Sequence, residues 1–402
     1  MSEMTRMKVA DVRGAGRLLF AASGGLVDIV ERLHRTIQRR PGALGQPVVE
    51  ATQGITGFVY RSIRGSVGLI GHGFDSALAR FEGKLPAGAT TPGREVFISI
   101  VNGVYGDYLA RSGNPLAIEM QLHHDDAPLD VADLTAHFAA AGRAAPTGRL
   151  LVLAHGLGMS VQQWSHEGHN DSAALAEELG WTPLYLRYNS GRRVAENGRL
   201  FAELLQSLVR HWPRPVEELA IVGHSMGGLV ARSACLAGEE LRHRWLRQLR
   251  RLVFLGTPHQ GAPLERGGHG LDYLLDLSPY SAPFTRLGKA RSAGIRDLRH
   301  GTVTLGEHRF VPLPRGVDCY AIAATLGARR SLLADRLVGD GLVPLDSALG
   351  RHAESGRSLR FPTTHQWVGY RMGHLELLRR PEVYAQLRGW LRPARGGARG
   401  ST

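Results

Sequence analysis

The chain has 402 residues, 43% of them hydrophobic and 21% charged, with a formal net charge of +13. That balance excludes a disordered or fibrous chain, and the length leaves room for a large core and more than one domain-sized unit. Nearly all of the positive charge is arginine, since lysine occurs only at Lys8, Lys84 and Lys289. No recognition motif, zinc spacing or aromatic platform accompanies it, so no nucleic-acid partner is expected. The charge reads first as a compositional bias and second as attraction to an anionic membrane surface.

The two cysteines, Cys235 and Cys319, each sit in an apolar run and read as small core residues. No disulfide framework is implied, which suits a reducing compartment. Acidic residues at Glu3, Asp11 and Asp28 interrupt the short apolar runs near the start, against a secretory signal. No stretch approaches about 18 uninterrupted apolar residues, so no spanning helix is expected. A cytoplasmic location, at most peripheral to a membrane, follows as an expectation.

In chain order, residues 1–114 read as a helical region. Leu18, Leu19, Leu26, Val30, Leu33 and Ile37 recur at helical spacing, then Ile55 to Phe81, then Phe97, Ile100, Val101, Val104, Tyr105, Tyr108 and Leu109. The middle run is rich in glycine, which weakens a helix and also permits close helix–helix approach. These helices are expected to pack on the rest of the protein. The sharper alternative is an amphipathic segment that gives peripheral membrane contact.

From residue 115 to 392 the texture changes. The runs LAIEMQL, RLLVLAHG, TPLYLRYN, ELAIVGHS, RLVFLGTP and VDCYAIAA are of strand length. Between them lie helical stretches at Ser172–Leu179, Glu196–Val209 and Met226–Leu236. Continuous apolar strands alternating with helices predict a mostly parallel sheet covered on both faces, an α/β class whose sites lie at the carboxyl ends of the strands. A stretch at about 262–315 has helical patches and no strand, and reads as an inserted cap. Its apolar residues Leu271, Tyr273, Leu274, Leu275, Leu277, Tyr280 and Phe284 would suit an acyl chain. The tail at 393–402 is expected to be disordered.

The chemistry concentrates in four loops. Ala220-Ile221-Val222 leads into Gly223-His224-Ser225-Met226-Gly227-Gly228 and then an unbroken helical run. This strand–turn–helix context turns a weak G-x-S-x-G pattern into a specific one: a sharp turn needs the glycines and lifts Ser225 to the helix N-terminus. The strand Leu150–Ala154 ends in His155-Gly156-Leu157-Gly158, a loop able to turn an N–H inward. A tetrahedral intermediate needs two such donors, and the N–H groups of Met226 and Leu157 are the candidates. His155 itself reads as a structural loop histidine.

A serine nucleophile also needs a base and an orienting carboxylate. Asp340, between two glycines after a late strand, is the candidate acid, with Asp335 and Asp346 as competitors. His374, after Gly373 and opening HLELL, is the candidate base, with His352 and His365 as competitors. His123, His124, Asp125 and Asp126 look like a metal cluster but alternate across a strand, so they read as a polar strand exit and no metal is expected. Tyr188-Asn189-Ser190-Gly191 reads as a turn on the catalytic side, with pocket lining as the alternative.

The motifs HGLG, GHSMGGLVAR, LGTPHQGAPLER, DGLVP and GHLELL, in this order, resemble the lipase/esterase branch of the α/β-hydrolase superfamily, and within it the PGAP1-like lipases. The likeness spans roughly Leu150–Leu378 and leaves the N-terminal region unmatched. It implies Ser225 as nucleophile, Asp340 as acid, His374 as base, and Leu157 with Met226 as oxyanion donors. It also implies that the loop with Thr257, Pro258 and His259, together with His155, Gly156 and His224, borders the substrate. The expected activity is hydrolysis of lipid or other hydrophobic carboxylic esters through an acyl-enzyme, with no cofactor. Thioesterase, amidase or acyltransferase activity would use the same residues, and a non-catalytic membrane- or partner-binding protein is the remaining alternative.

Overall fold

The computed structural model describes residue 14 and residues 92–125, 127–139, 144–165, 171–262, 292–306, 310–328 and 339–392. The helical runs expected before residue 92, most of the expected cap, Asp335 and the tail lie outside the described residues. Among the described residues no helix is long and apolar enough to cross a membrane.

Helix α1 (Pro92–Arg111) is followed by the hairpin strands β1 (Gln121–His124) and β2 (Ala127–Leu129) and the short helix α2 (Leu134–Ala139). Then come β3 (Arg149–Ala154), α3 (Asp171–Leu179), β4 (Thr182–Arg187), α4 (Val194–His211), β5 (Glu218–His224), α5 (Met226–Glu240) and β6 (Leu249–Leu255). The chain closes with α6 (Ala293–His300), β7 (Asp318–Thr325), α7 (Leu345–Ala348), β8 (Gln366–Tyr370) and α8 (Pro381–Leu391). The strands form one sheet in the order β2-β1-β4-β3-β5-β6-β7-β8. Only the β1–β2 and β1–β4 pairs are antiparallel, and β3 to β8 run parallel.

The strand sequences explain the layers. Side chains alternate across a strand, so a strand that is apolar throughout must be covered twice. Leu150 and Val152 of β3, Ile221 of β5 and Phe254 of β6 face one core, shared with Phe201, Leu205 and Leu208 of α4 and Met226, Leu229 and Val230 of α5. Leu151, Leu153, Val222, Val253 and Ile322 face the other, shared with Leu175 and Leu179 of α3 and Val383, Leu387 and Leu391 of α8. Parallel strands joined by crossover helices end on the same side, so β3, β5, β6, β7 and β8 deliver their following loops to one edge.

Helix α1 is stitched to that edge. Glu95 receives the guanidinium of Arg187 at 2.9 Å. Asn189 Nδ2 donates to Gly106 O at 2.9 Å, and Ser292 Oγ donates to Gly103 O at 2.7 Å. A Cβ on Gly103 would come within 2.9 Å of Gly158 Cα, so only glycine admits this approach. The run LAIEMQL does not pair along its length, because β1 starts at Gln121. Asn102 occupies the preceding segment instead, donating to Leu116 O at 2.7 Å and accepting from Ile118 N at 2.9 Å.

Candidate active site

Ser225 joins β5 to α5 with φ 53° and ψ −121°, a backbone conformation that costs a non-glycine residue about 1–3 kcal/mol. The strain persists because the surroundings leave no alternative. A Cβ on Gly223 would lie 2.5 Å from Gly228 Cα, and one on Gly227 would overlap Ala154 O. Ser225 N donates to Leu255 O at 2.8 Å, tying the turn to the end of β6. The hydroxyl is thus presented at the N-terminus of α5, where the helix dipole favours negative charge.

Asp340 sits between Gly339 (φ 53°) and Gly341 (φ 94°), and Gly339 O accepts from Leu326 N at 2.8 Å just beyond β7. The carboxylate is fully buried. Its Oδ1 accepts from the N–H groups of Leu342 (3.0 Å) and Val343 (2.8 Å), and its Oδ2 lies 2.6 Å from His374 Nδ1. His374 N also donates to Asp340 O at 3.0 Å. These bonds orient the imidazole with its Nε2 turned away from Asp340, and that Nε2 is buried without a hydrogen-bond partner among the described residues. The ring rests over the end of β6, within about 3 Å of where a Cβ on Gly256 would lie, and 4.7 Å from the His224 ring.

The competitors lie elsewhere. His365 precedes β8, and its Nδ1 is 3.1 Å from Cys319 O at the far end of the sheet. His352 Nδ1 accepts from Glu354 N within its own loop, and Asp346 pairs with Arg351.

The loop after β3 faces Ser225, because a Cβ on Gly156 would lie 3.2 Å from Ser225 Cβ and 3.2 Å from His224 Nδ1. Leu157 is next in this loop, and Gly158 N is held by Ser190 Oγ at 2.9 Å. His155 is buried behind the loop, stacked on Tyr188 at 4.5 Å, with Tyr188 OH donating to its carbonyl. Burial lowers its pKa to about 4, helped by the charge of Arg187 and opposed by the bond to Gly156 O. Burial likewise lowers the pKa of His224 well below the ordinary histidine range, and the ring is neutral. His155, His224, Thr257 and His259 all have under 5% exposure and support the site from behind. Thr257 Oγ1 donates to Gly223 O at 3.4 Å.

The strand-exit residues Asn189 and Ser190 were the signal most easily underread. They look like an ordinary turn in the sequence, yet they join α1 to the loop that carries Leu157. His123 and His124 do point to different partners, Gln121 Nε2 at 3.0 Å and His137 Nε2 at 3.2 Å. Among the described residues no group of three or more His, Cys, Asp or Glu side chains could hold a metal ion.

A family model for the PGAP1-like alpha/beta domain matches residues 145–300. The chain has the α/β-hydrolase fold. The matched segment contains Ser225 and ends before Asp340 and His374. Among solved structures, the mature lipase BlEst2 of Bacillus licheniformis is 18% identical, with 64% of this chain and 97% of that chain covered and a TM-score of 0.43. The esterase of Pyrobaculum calidifontis is 16% identical, with 62% and 78% covered and a TM-score of 0.41. Lipase B of Aspergillus fumigatus is 12% identical, with 94% and 84% covered and a TM-score of 0.40. No curated protein matches the sequence.

Proposed function

We propose that this α/β-hydrolase cleaves carboxylic esters with hydrophobic acyl groups, with Ser225 as nucleophile. The observation that carries the reading is the strained elbow at Ser225 on the same sheet edge as a buried His374–Asp340 pair. A hydroxyl alone is a weak nucleophile and must lose its proton as it attacks. His374 takes that proton on Nε2, the ring nitrogen that has no other partner. Asp340 accepts from Nδ1–H, selects this tautomer and stabilises the imidazolium. The N–H groups of Leu157 and Met226 receive the oxyanion. Collapse expels the alcohol, protonated by His374, and leaves an acyl-Ser225 ester. Water, activated by the same imidazole, then releases the acid.

The acyl preference is supported by a narrow apolar cleft whose wall follows the base in sequence. Leu255, Leu377, Leu378, Val383 and Leu387 line it, together with Trp164. Leu377 and Leu378 follow His374 by three and four residues, so the cleft begins next to the proposed chemistry.

The test is a p-nitrophenyl ester series from two to about sixteen carbons, with a thioester and an anilide of matched chain. The expected result is turnover that peaks at medium or long acyl esters and falls at least about 10³-fold in Ser225→Ala. Full turnover by Ser225→Ala contradicts the assignment, and preference for thioester or anilide redirects it to another acyl-transfer class.

A further inference from the structure

On the face of the sheet opposite the apolar cleft lies a second, small opening of about 50 Å³. Arg232, His259, Gln260, Thr302, Val311 and Arg357 are among its walls, and none of the described side chains lining it is acidic. Arg232 forms its floor and is only 5% exposed. A buried guanidinium normally faces a carboxylate, because an uncompensated charge is costly to remove from water. Here one arm, Nη2, donates to Val311 O at 2.5 Å, the other, Nη1, lies 3.4 Å from His259 Nδ1, and Nε has no partner among the described residues. Burial pulls the arginine pKa down to about 10, which still leaves it cationic at neutral pH.

The contact with His259 also settles that ring's tautomer. A guanidinium cannot accept a hydrogen bond, so His259 Nδ1 accepts and Nε2 carries the proton. His259 is buried and neutral, its pKa held low by burial and by the Arg232 charge. Its Nε2–H also has no acceptor among the described residues. Two buried N–H donors, one of them cationic, therefore line the same opening without acceptors.

We propose that this opening binds a compact oxyanion of the phosphate type, held by Arg232 and His259. Charge-assisted bonds from both donors would supply the acceptors they lack. Arg232 follows Ser225 by seven residues along the helix, about 10 Å at 1.5 Å per residue. His259 lies three residues beyond Gly256, against which His374 rests. The anion is therefore either the phosphoester headgroup of a substrate whose acyl carbonyl lies at Ser225, or a free phosphate bound beside the site. The headgroup source rests on the proposed hydrolase reading, and the anion site itself does not.

The experiment is calorimetric titration of inorganic phosphate into the full chain, as wild type, Ser225→Ala, Arg232→Met and His259→Phe. Saturable binding is expected in wild type and equally in Ser225→Ala, weakened at least about tenfold in the other two. His259→Phe keeps the ring volume beside Phe254 and Phe361, so it serves if Arg232→Met fails to fold. In wild type the His259 Nε2 nitrogen resonance should shift along the same titration. No saturable binding, binding unchanged in both site variants, or an unmoved His259 resonance overturns the proposal. Inhibition kinetics separate the two sources. Phosphate competing with a phosphate-bearing ester but not with a neutral one identifies a headgroup site, and binding without competition identifies a free anion.

Discussion

The elbow at Ser225 and the pair at Asp340–His374 lie at the same edge of the sheet, yet they are built differently. The elbow is held by backbone sterics: a positive φ, two glycines that cannot carry a Cβ, and a bond from Ser225 N to β6. All of its determinants but the last lie within six consecutive residues. The pair is held by directed hydrogen bonds, two within the Asp340 loop and two that reach His374, 34 residues on, each satisfying a group buried from water. A steric device fails by unfolding and tolerates no added atom. A hydrogen-bonded device fails by losing chemistry while the shape survives.

Asp340→Asn is the sharpest way to separate the two. The amide oxygen can keep accepting from Leu342 and Val343, so the loop should persist. The amide nitrogen would donate to His374 Nδ1 and force the wrong tautomer. Turnover should drop by about 10⁴-fold, with a melting temperature within a few degrees of wild type. An equally large loss of stability would show that the pair holds the fold as well.

Gly227→Ala should do the reverse. Its new methyl would overlap Ala154 O and crowd His155 O, backbone that cannot step aside. A loss of about 3 kcal/mol in denaturant unfolding is expected. Unchanged stability would mean that the elbow is looser than its geometry indicates.

Acid tests the wall behind the elbow. The folded pKa of His155 is about 4, below its unfolded value of 6.5, and those of His224 and His259 are also lowered. Between the two values the unfolded chain binds the proton and the folded chain does not. Stability is therefore complete above about pH 6.5 and falls as pH drops towards 4, by up to about 3 kcal/mol from His155 alone. Denaturant midpoints flat across pH 4–7 would contradict neutral burial of these rings.

The smallest expected effect concerns Ser190, whose hydroxyl holds Gly158 N. Ser190→Ala should slow kcat by about five- to tenfold through a loosened loop, at nearly constant KM, and Ser190→Thr should restore most of it. A change in KM alone would make Ser190 a pocket residue instead.

The same contrast explains how much the sequence disclosed. The elbow was fully legible because its determinants are contiguous. Strands β3 to β7 were legible because each is a largely apolar run, Asp340 because glycines flank it after a strand, and His374 because it follows a glycine and opens an apolar run. Strands β2 and β8 were not, since APL and QWVGY are short and carry no clear apolar pattern. The role of α1 was hidden too. Periodicity marks the helix, but nothing local says that Gly103 meets Gly158 or that Asn189 reaches Gly106. The donors of Arg232 and His259 were likewise invisible, because an unmet hydrogen bond is a property of three dimensions.

The central claim is that Ser225 becomes covalently acylated. Its most direct test is to label the folded protein with a fluorophosphonate and locate the adduct by peptide mass spectrometry. One adduct per chain is expected, on Ser225, absent in Ser225→Ala and strongly slowed in Asp340→Asn. Folded wild type that stays unlabelled, or an adduct on another residue, would contradict it.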